Sequence, residues 1–210
     1  SAYFCQVKDK TGKIIYRLPN HHFDIKATSP GRGTIVLLGG VIDYGEINRN
    51  LFWIRPNYVD TVYSTSDWTD VRPYYIIQRN NRAADYAWSV RMKVGDITRE
   101  DAEREQLCNV YALKSGLLFN YLFNPKQQGA GFCPANGKSK TISRLFKNDI
   151  DSYCPSIDLW QAIAYKTLYQ KEDYLYLLID AFKFFEEGAK SPFPDLTEES
   201  NPVLVKLKLK

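Results

Sequence analysis

At 210 residues, with 44% apolar and 25% charged side chains, the chain is long enough to bury a core without a metal or a disulfide, and its composition excludes a disordered polypeptide. A net charge of +4 is too small to mark a nucleic-acid binder by itself, and no apolar run is long enough to cross a membrane as a helix. The basic excess sits entirely in the first half: 13 Lys and Arg face 9 Asp and Glu through Asp96, against 15 and 15 in the remainder.

The first 97 residues read as strands and turns. Tyr3 to Val7 and Ile14 to Leu18 flank a polar turn at Gly12, a hairpin signal. His22 to Lys26 and the β-branched run Thr34 to Leu38 predict further strands, and Val41 to Tyr44 another after the Gly39-Gly40 break. Leu51 to Ile54, Tyr58 to Ser64 and Tyr74 to Gln78 follow, and Tyr86 to Val94 alternates as a half-buried strand does. The 15 Tyr, 11 Phe and 4 Trp suit such sheet surfaces, because Tyr joins an apolar body to a polar tip.

Past Thr98 the spacing predicts helices. Thr98 and Asp101 resemble a capping box, and Leu107, Cys108, Tyr111, Leu118 and Leu122 recur at helical intervals up to Asn124-Pro125. Residues 126–140 read as a Gly-rich loop, Thr141 to Lys147 as a helical turn or two, and two more helices are predicted from Ile157 to Leu168 and from Tyr174 to Phe185. Val203 to Lys210 alternates strictly and reads as a closing strand. The expectation is one α+β domain over residues 1–210. A mostly antiparallel sheet from the first half is joined by the closing strand 203–210, and a helical excursion over 98–190 packs on it.

Three features bear on chemistry. Gly129, Gly131, Gly137, Lys138, Ser139, Lys140 and Thr141 approach a phosphate-binding loop, but the first glycine lies one residue too far upstream, Pro134 removes a donor, and a predicted helix stands where a strand is required. A looser anion site remains, with Gly137, Lys138, Ser139, Lys140 and Thr141 at a helix start. Tyr16-Arg17, Ser64-Thr65-Ser66 and Glu103-Arg104-Glu105 occur in an order and rough spacing that resembles ADP-ribosyltransferase toxins. That resemblance implies that Arg17 contacts the nicotinamide dinucleotide, Ser64 braces the pocket and Glu105 holds the ribose. It departs from the family in setting the Glu-x-Glu inside a predicted helix. Arg72, Tyr74, Arg79 and Arg82, followed by Arg91 and Lys93, interleave cations with aromatics as a nucleic-acid face does.

The four cysteines are widely spaced, and the only histidines are the adjacent His21 and His22, so neither a metal nor a cofactor is expected. Cys108 reads as a core thiol, and Cys133 and Cys154 as a pair that an oxidising compartment could join. No signal-peptide pattern opens the chain, which points to an intracellular protein, although a start at Ser1-Ala2 also fits a processed one. With no complete catalytic constellation, the leading expectation is a non-enzymatic binding or assembly protein that meets a protein partner or itself through an aromatic-rich β surface. The alternatives are a nucleic-acid binder acting through the Arg72 to Lys93 face, and an enzyme on a nucleotide or phosphorylated substrate, of the ADP-ribosyltransferase kind.

Overall fold

The computed structural model describes residues 3–19, 42–79, 81–85, 87–89, 91, 98–123, 127–138, 140–142, 145–146, 157–165, 167–186 and 193–208. Strands dominate it. A hairpin of β1 (Tyr3–Lys8) and β2 (Ile14–Pro19) turns on Asp9, whose carboxylate accepts the Thr11 N–H at 2.8 Å and the Lys13 N–H at 3.1 Å, with Gly12 at φ 85°. An antiparallel meander follows: β3 (Ile42–Asn48), β4 (Leu51–Pro56), β5 (Thr61–Thr65) and β6 (Arg72–Ile76). A second meander holds β7 (Glu105–Ala112), β8 (Gly116–Phe123), β9 (Gln127–Pro134) and β10 (Lys140–Ile142). Strands β11 (Leu145–Phe146) and β12 (Ile157–Asp158) form a short pair leading into helix α1 (Leu159–Ala164). A third sheet, β13 (Tyr169–Lys171), β14 (Tyr174–Ile179) and β15 (Val203–Lys208), is antiparallel too, with helix α2 (Lys183–Glu186) after β14.

The long helix expected after Thr98 is a strand hairpin. Strand β7 is buried on both sides, so the period of two disappears from its sequence and a nearly continuous apolar run remains. Val110 and Ala112 pack with Ile47, Trp53 and Val62 of the first meander, whereas Tyr111 and Leu113 pack with α1 and the third sheet. The turn after β7 needs its glycine. Gly116 has φ 155°, and a Cβ there would lie 2.2 Å from the Cys133 carbonyl oxygen. Thr98 and Asp101 do cap each other, with Thr98 Oγ1 donating to Asp101 Oδ2 at 3.1 Å and the Asp101 N–H donating back to Thr98 Oγ1 at 3.1 Å. What they open is the single 3₁₀ turn Asp101–Glu103.

Three further expectations are corrected. The Gly-rich segment is largely strand β9, in which Gly129 and Gly131 face Tyr121 and Phe119 across β8. A Cβ at Gly131 would meet the Phe119 ring at 2.3 Å, so the glycines make room for aromatic rings laid over them. Tyr174 to Ile179 is a strand, because its apolar residues alternate rather than recur at helical spacing. In the Tyr86 to Val94 segment, residues 87–89 and 91 are helical. Helix thus survives from the expected layer as α1 and α2. Strand β15 forms as expected, but it pairs with β14 and not with the first-half sheet. The strands expected at His22 to Lys26 and Thr34 to Leu38 lie outside the described residues. No described helix is long and apolar enough to cross a membrane.

The β7–β10 sheet is therefore a middle layer, with β3–β6 on one face and α1 with the β13–β15 sheet on the other. Two polar devices stitch the layers. Asp43 of β3 and Arg55 of β4 form a buried ion pair at 3.1 Å. The same carboxylate accepts the Val110 N–H and Asn109 Nδ2, each at 3.1 Å, where β7 bulges between Leu107 and Val110. Burial lowers the Arg55 pKa and the Asp43 charge opposes that shift. Gln170 of β13 is the second device. Its Oε1 accepts Trp53 Nε1–H at 3.0 Å, and its Nε2 donates to the Ala112 carbonyl at 2.6 Å and the Glu46 carbonyl at 3.0 Å.

Candidate functional site

The third sheet presents the most distinctive surface. Alternation along β14 and β15 sends Leu175, Leu177, Ile179, Val205 and Leu207 inward, onto the core shared with α1. The opposite face is built row by row from the register. Lys171 pairs with Tyr174 and Tyr174 with Lys208, so one row reads Lys171, Tyr174, Lys208. The next reads Tyr169, Tyr176, Lys206, and the last Leu178, Leu204. These outward positions hold three tyrosines, three lysines and two leucines, and no carboxylate.

The rings and cations are in contact. Tyr169 and Tyr176 have centroids 6.4 Å apart, and Tyr174 and Tyr176 6.5 Å, all tilted rather than stacked. The Lys206 ammonium lies 3.7 Å from the Tyr174 ring centre and 5.9 Å from that of Tyr176, and the Lys208 ammonium lies 5.6 Å from Tyr174. Tyr169, Leu178 and Leu204 stay more than half exposed, at 63%, 65% and 62%.

The platform is fixed from below and at one end. Gln170 sits beneath Tyr169 and Lys171, hydrogen-bonded to Trp53 and to the Ala112 and Glu46 carbonyls. The β13–β14 turn carries Glu172 at φ 54°, and the Asp173 carboxylate accepts the Ser115 N–H at 2.9 Å and its hydroxyl at 3.0 Å. The face therefore rides on a strand framework tied to the middle layer. Such a surface can offer π faces and cations together.

The residues singled out from the sequence lie elsewhere. Arg17 is on β2, its guanidinium 5.5 Å from the Tyr3 ring centre. Ser64 is on β5, between Trp53 of β4 and Arg72 of β6. Glu105 opens β7, beyond the 3₁₀ turn and not inside a helix. These three belong to three different sheets.

Of the proposed anion loop, Gly137 and Lys138 lie in the turn between β9 and β10, where the Gly137 N–H donates to the Pro134 carbonyl at 3.1 Å. Lys140 and Thr141 lie within β10 and not at a helix start, and Ser139 is outside the described residues. Cys108 is a fully buried thiol, its pKa pushed up to about 12 chiefly by burial, and Cys133 is a free thiol. Cys154 and the histidine pair lie outside the described residues.

In the Arg72 to Lys93 stretch several arginines have partners within the chain, while Arg72 and Arg82 remain exposed. Arg72 pairs with Asp70, and Arg79 with Asp60 and the Ala84 carbonyl. Tyr74 packs edge-on against Tyr75 at 4.6 Å and is partly buried against the core of the first meander. Arg82 contributes its carbonyl oxygen to the Glu105 N–H at 2.9 Å, Arg91 chelates Asp101, and Lys93 is outside the described residues. The lysine and tyrosine rows were missed because Tyr174 to Phe185 reads as a helix. The signal that could have found them is the alternation of Lys206 and Lys208 in the closing strand, matched by Tyr174 and Tyr176.

Comparison with known proteins adds no relative: no family model matches the chain, and neither a curated protein nor a solved structure does.

Proposed function

We propose that the protein is a non-enzymatic binding protein whose interaction surface is the outer face of the β13–β15 sheet. The observation that carries this reading is the composition of that face: tyrosines and lysines in register on adjacent strands, with no carboxylate among the outward positions. Sheet faces left to solvent ordinarily mix both signs of charge with small polar groups. A face of packed rings and one sign of charge suits recognition, because aromatic anchors supply contact area at low entropic cost and the cations select the partner. The inward side of the same strands is tied into the core, so the outward side is free to be specialised.

The test is to titrate isotope-labelled protein with a single-stranded oligonucleotide, with polyglutamate and with itself, mapping chemical-shift changes each time. The reading predicts that at least one titration moves the signals of Tyr169, Tyr174, Tyr176 and Leu204 before any others. It is wrong if no titration perturbs them, or if the changes centre on Arg72, Tyr74 and Arg82.

A further inference from the structure

We infer that the ligand of the β13–β15 face is single-stranded nucleic acid, an inference that rests on the binding reading above and gives it a substrate class. Charge is the first argument. After Asp96 the chain carries equal numbers of cations and anions, yet Lys171, Lys206 and Lys208 are gathered on one face without an acid among the outward positions. That segregation is complementary to a polyanion.

The tyrosines supply the second argument. A polyanion without π faces, such as an acidic peptide, would use the lysines and leave the tiling of Tyr169, Tyr174 and Tyr176 without a purpose. A duplex hides its base faces inside the stack. An unpaired strand offers phosphates and base faces together, and stacking on sheet aromatics with lysines at the backbone is how sequence-tolerant single-strand binding works.

Scale agrees. Neighbouring strands lie about 5 Å apart and successive outward residues about 7 Å apart, so the two tyrosine rows span a patch that accommodates about two or three nucleotides. The Lys206 ammonium, 3.7 Å over Tyr174, occupies the place of a stacked base. Its four-carbon stem lets it swing from the ring to a phosphate when a base arrives.

The test uses fluorescence anisotropy with a labelled oligodeoxythymidylate of about 12 nucleotides, a size within the range of known single-strand sites, beside a blunt duplex of equal length and labelled polyglutamate. The single strand is expected to bind at least about tenfold more tightly than either competitor. Its affinity should fall with salt at a log–log slope of about −2, from three phosphate contacts at about 0.7 each. Tyr174→Ser with Tyr176→Ser should weaken binding by at least about tenfold at unchanged slope, whereas Tyr174→Phe with Tyr176→Phe should hold it within about twofold, since stacking uses the ring and not the hydroxyl. Lys206→Gln with Lys208→Gln should bring the slope near −0.7.

Circular dichroism and melting of each variant separate loss of contact from loss of fold. Duplex binding as tight as single-strand binding overturns the inference. So does single-strand binding indifferent to the serine variants. Polyglutamate binding that is equally tight and blind to the tyrosines also overturns it, in favour of an acidic protein partner, and leaves the binding reading intact. Failure of every probe, with no self-association, overturns both.

Discussion

Lys206 holds its ammonium 3.7 Å from the centre of the Tyr174 ring, although its register partner across β14 and β15 is Tyr176. The cation therefore crosses diagonally from one row to the next and bridges two rings. A contact of this kind at the surface contributes roughly 0.5–1 kcal/mol, far below what its neighbours underneath contribute. Replacing Lys206 by Gln, or Tyr174 by Ser, should accordingly change unfolding free energy by no more than about 1 kcal/mol. Urea denaturation of both variants checks this. A loss of several kcal/mol would make the rows part of the framework rather than a surface set aside for binding.

The framework itself depends on Asp43. Its carboxylate neutralises Arg55 and accepts from Asn109 and Val110 at the β7 bulge. Asp43→Ala strands a buried guanidinium and should cost about 3–5 kcal/mol. The double variant Asp43→Leu with Arg55→Met removes both charges and should be markedly less damaging than Asp43→Ala alone. Denaturant midpoints of the two variants, taken at equal slope, decide between them.

Gln170 links the platform to both other sheets. Gln170→Ala leaves Trp53 Nε1 and the Ala112 and Glu46 carbonyls without the partners they have now, a loss of about 2–4 kcal/mol. Gly45→Ala should strike the same joint from the other side, since its Cβ would come within 2.6 Å of Trp53 Nε1 and 2.9 Å of Gln170 Oε1. Thermal melting of each variant is the check, with a lower midpoint expected for both.

Acid should loosen a different corner. The Arg91 guanidinium, followed by Thr98, holds the Asp101 carboxyl down to about 2, below its ordinary 3.8. A depressed carboxyl pKa stabilises the fold above the unfolded value and loses that contribution as pH falls through the folded one. About 2 kcal/mol should therefore be present above about pH 5 and disappear between about pH 4 and 2. Asp101→Asn should flatten that part of the stability profile while lowering stability at neutral pH. Chemical denaturation at a series of pH values measures both.

The sequence was most legible where one face of a strand meets water. Strands β1, β2 and β15 alternate or are bounded by turn residues, and they were expected within a residue or two. Strands β7 and β8 were misread because both their faces are buried, and an apolar run without a period mimics helical spacing at Leu107, Tyr111 and Leu118. Strand β9 was misread because its glycines suggest a loop until the rings of Phe119 and Tyr121 are seen lying over them. The binding face was hidden for a related reason. Its two richest strands, β14 and β15, lie far apart in sequence, and only the pairing of Tyr176 with Lys206 brings tyrosines and lysines into common rows.

Lysine protection locates the binding face without altering the chain's sequence. Acetylation rates of Lys171, Lys206 and Lys208 are measured with and without saturating oligodeoxythymidylate, polyglutamate or concentrated unlabelled protein, using the exposed Lys114 and Lys138 as internal references. The account predicts that at least one of these additions slows all three sheet lysines several-fold and leaves Lys114 and Lys138 unchanged. Protection that falls on the reference lysines while the three sheet lysines react freely, or no protection by any of them, would contradict it.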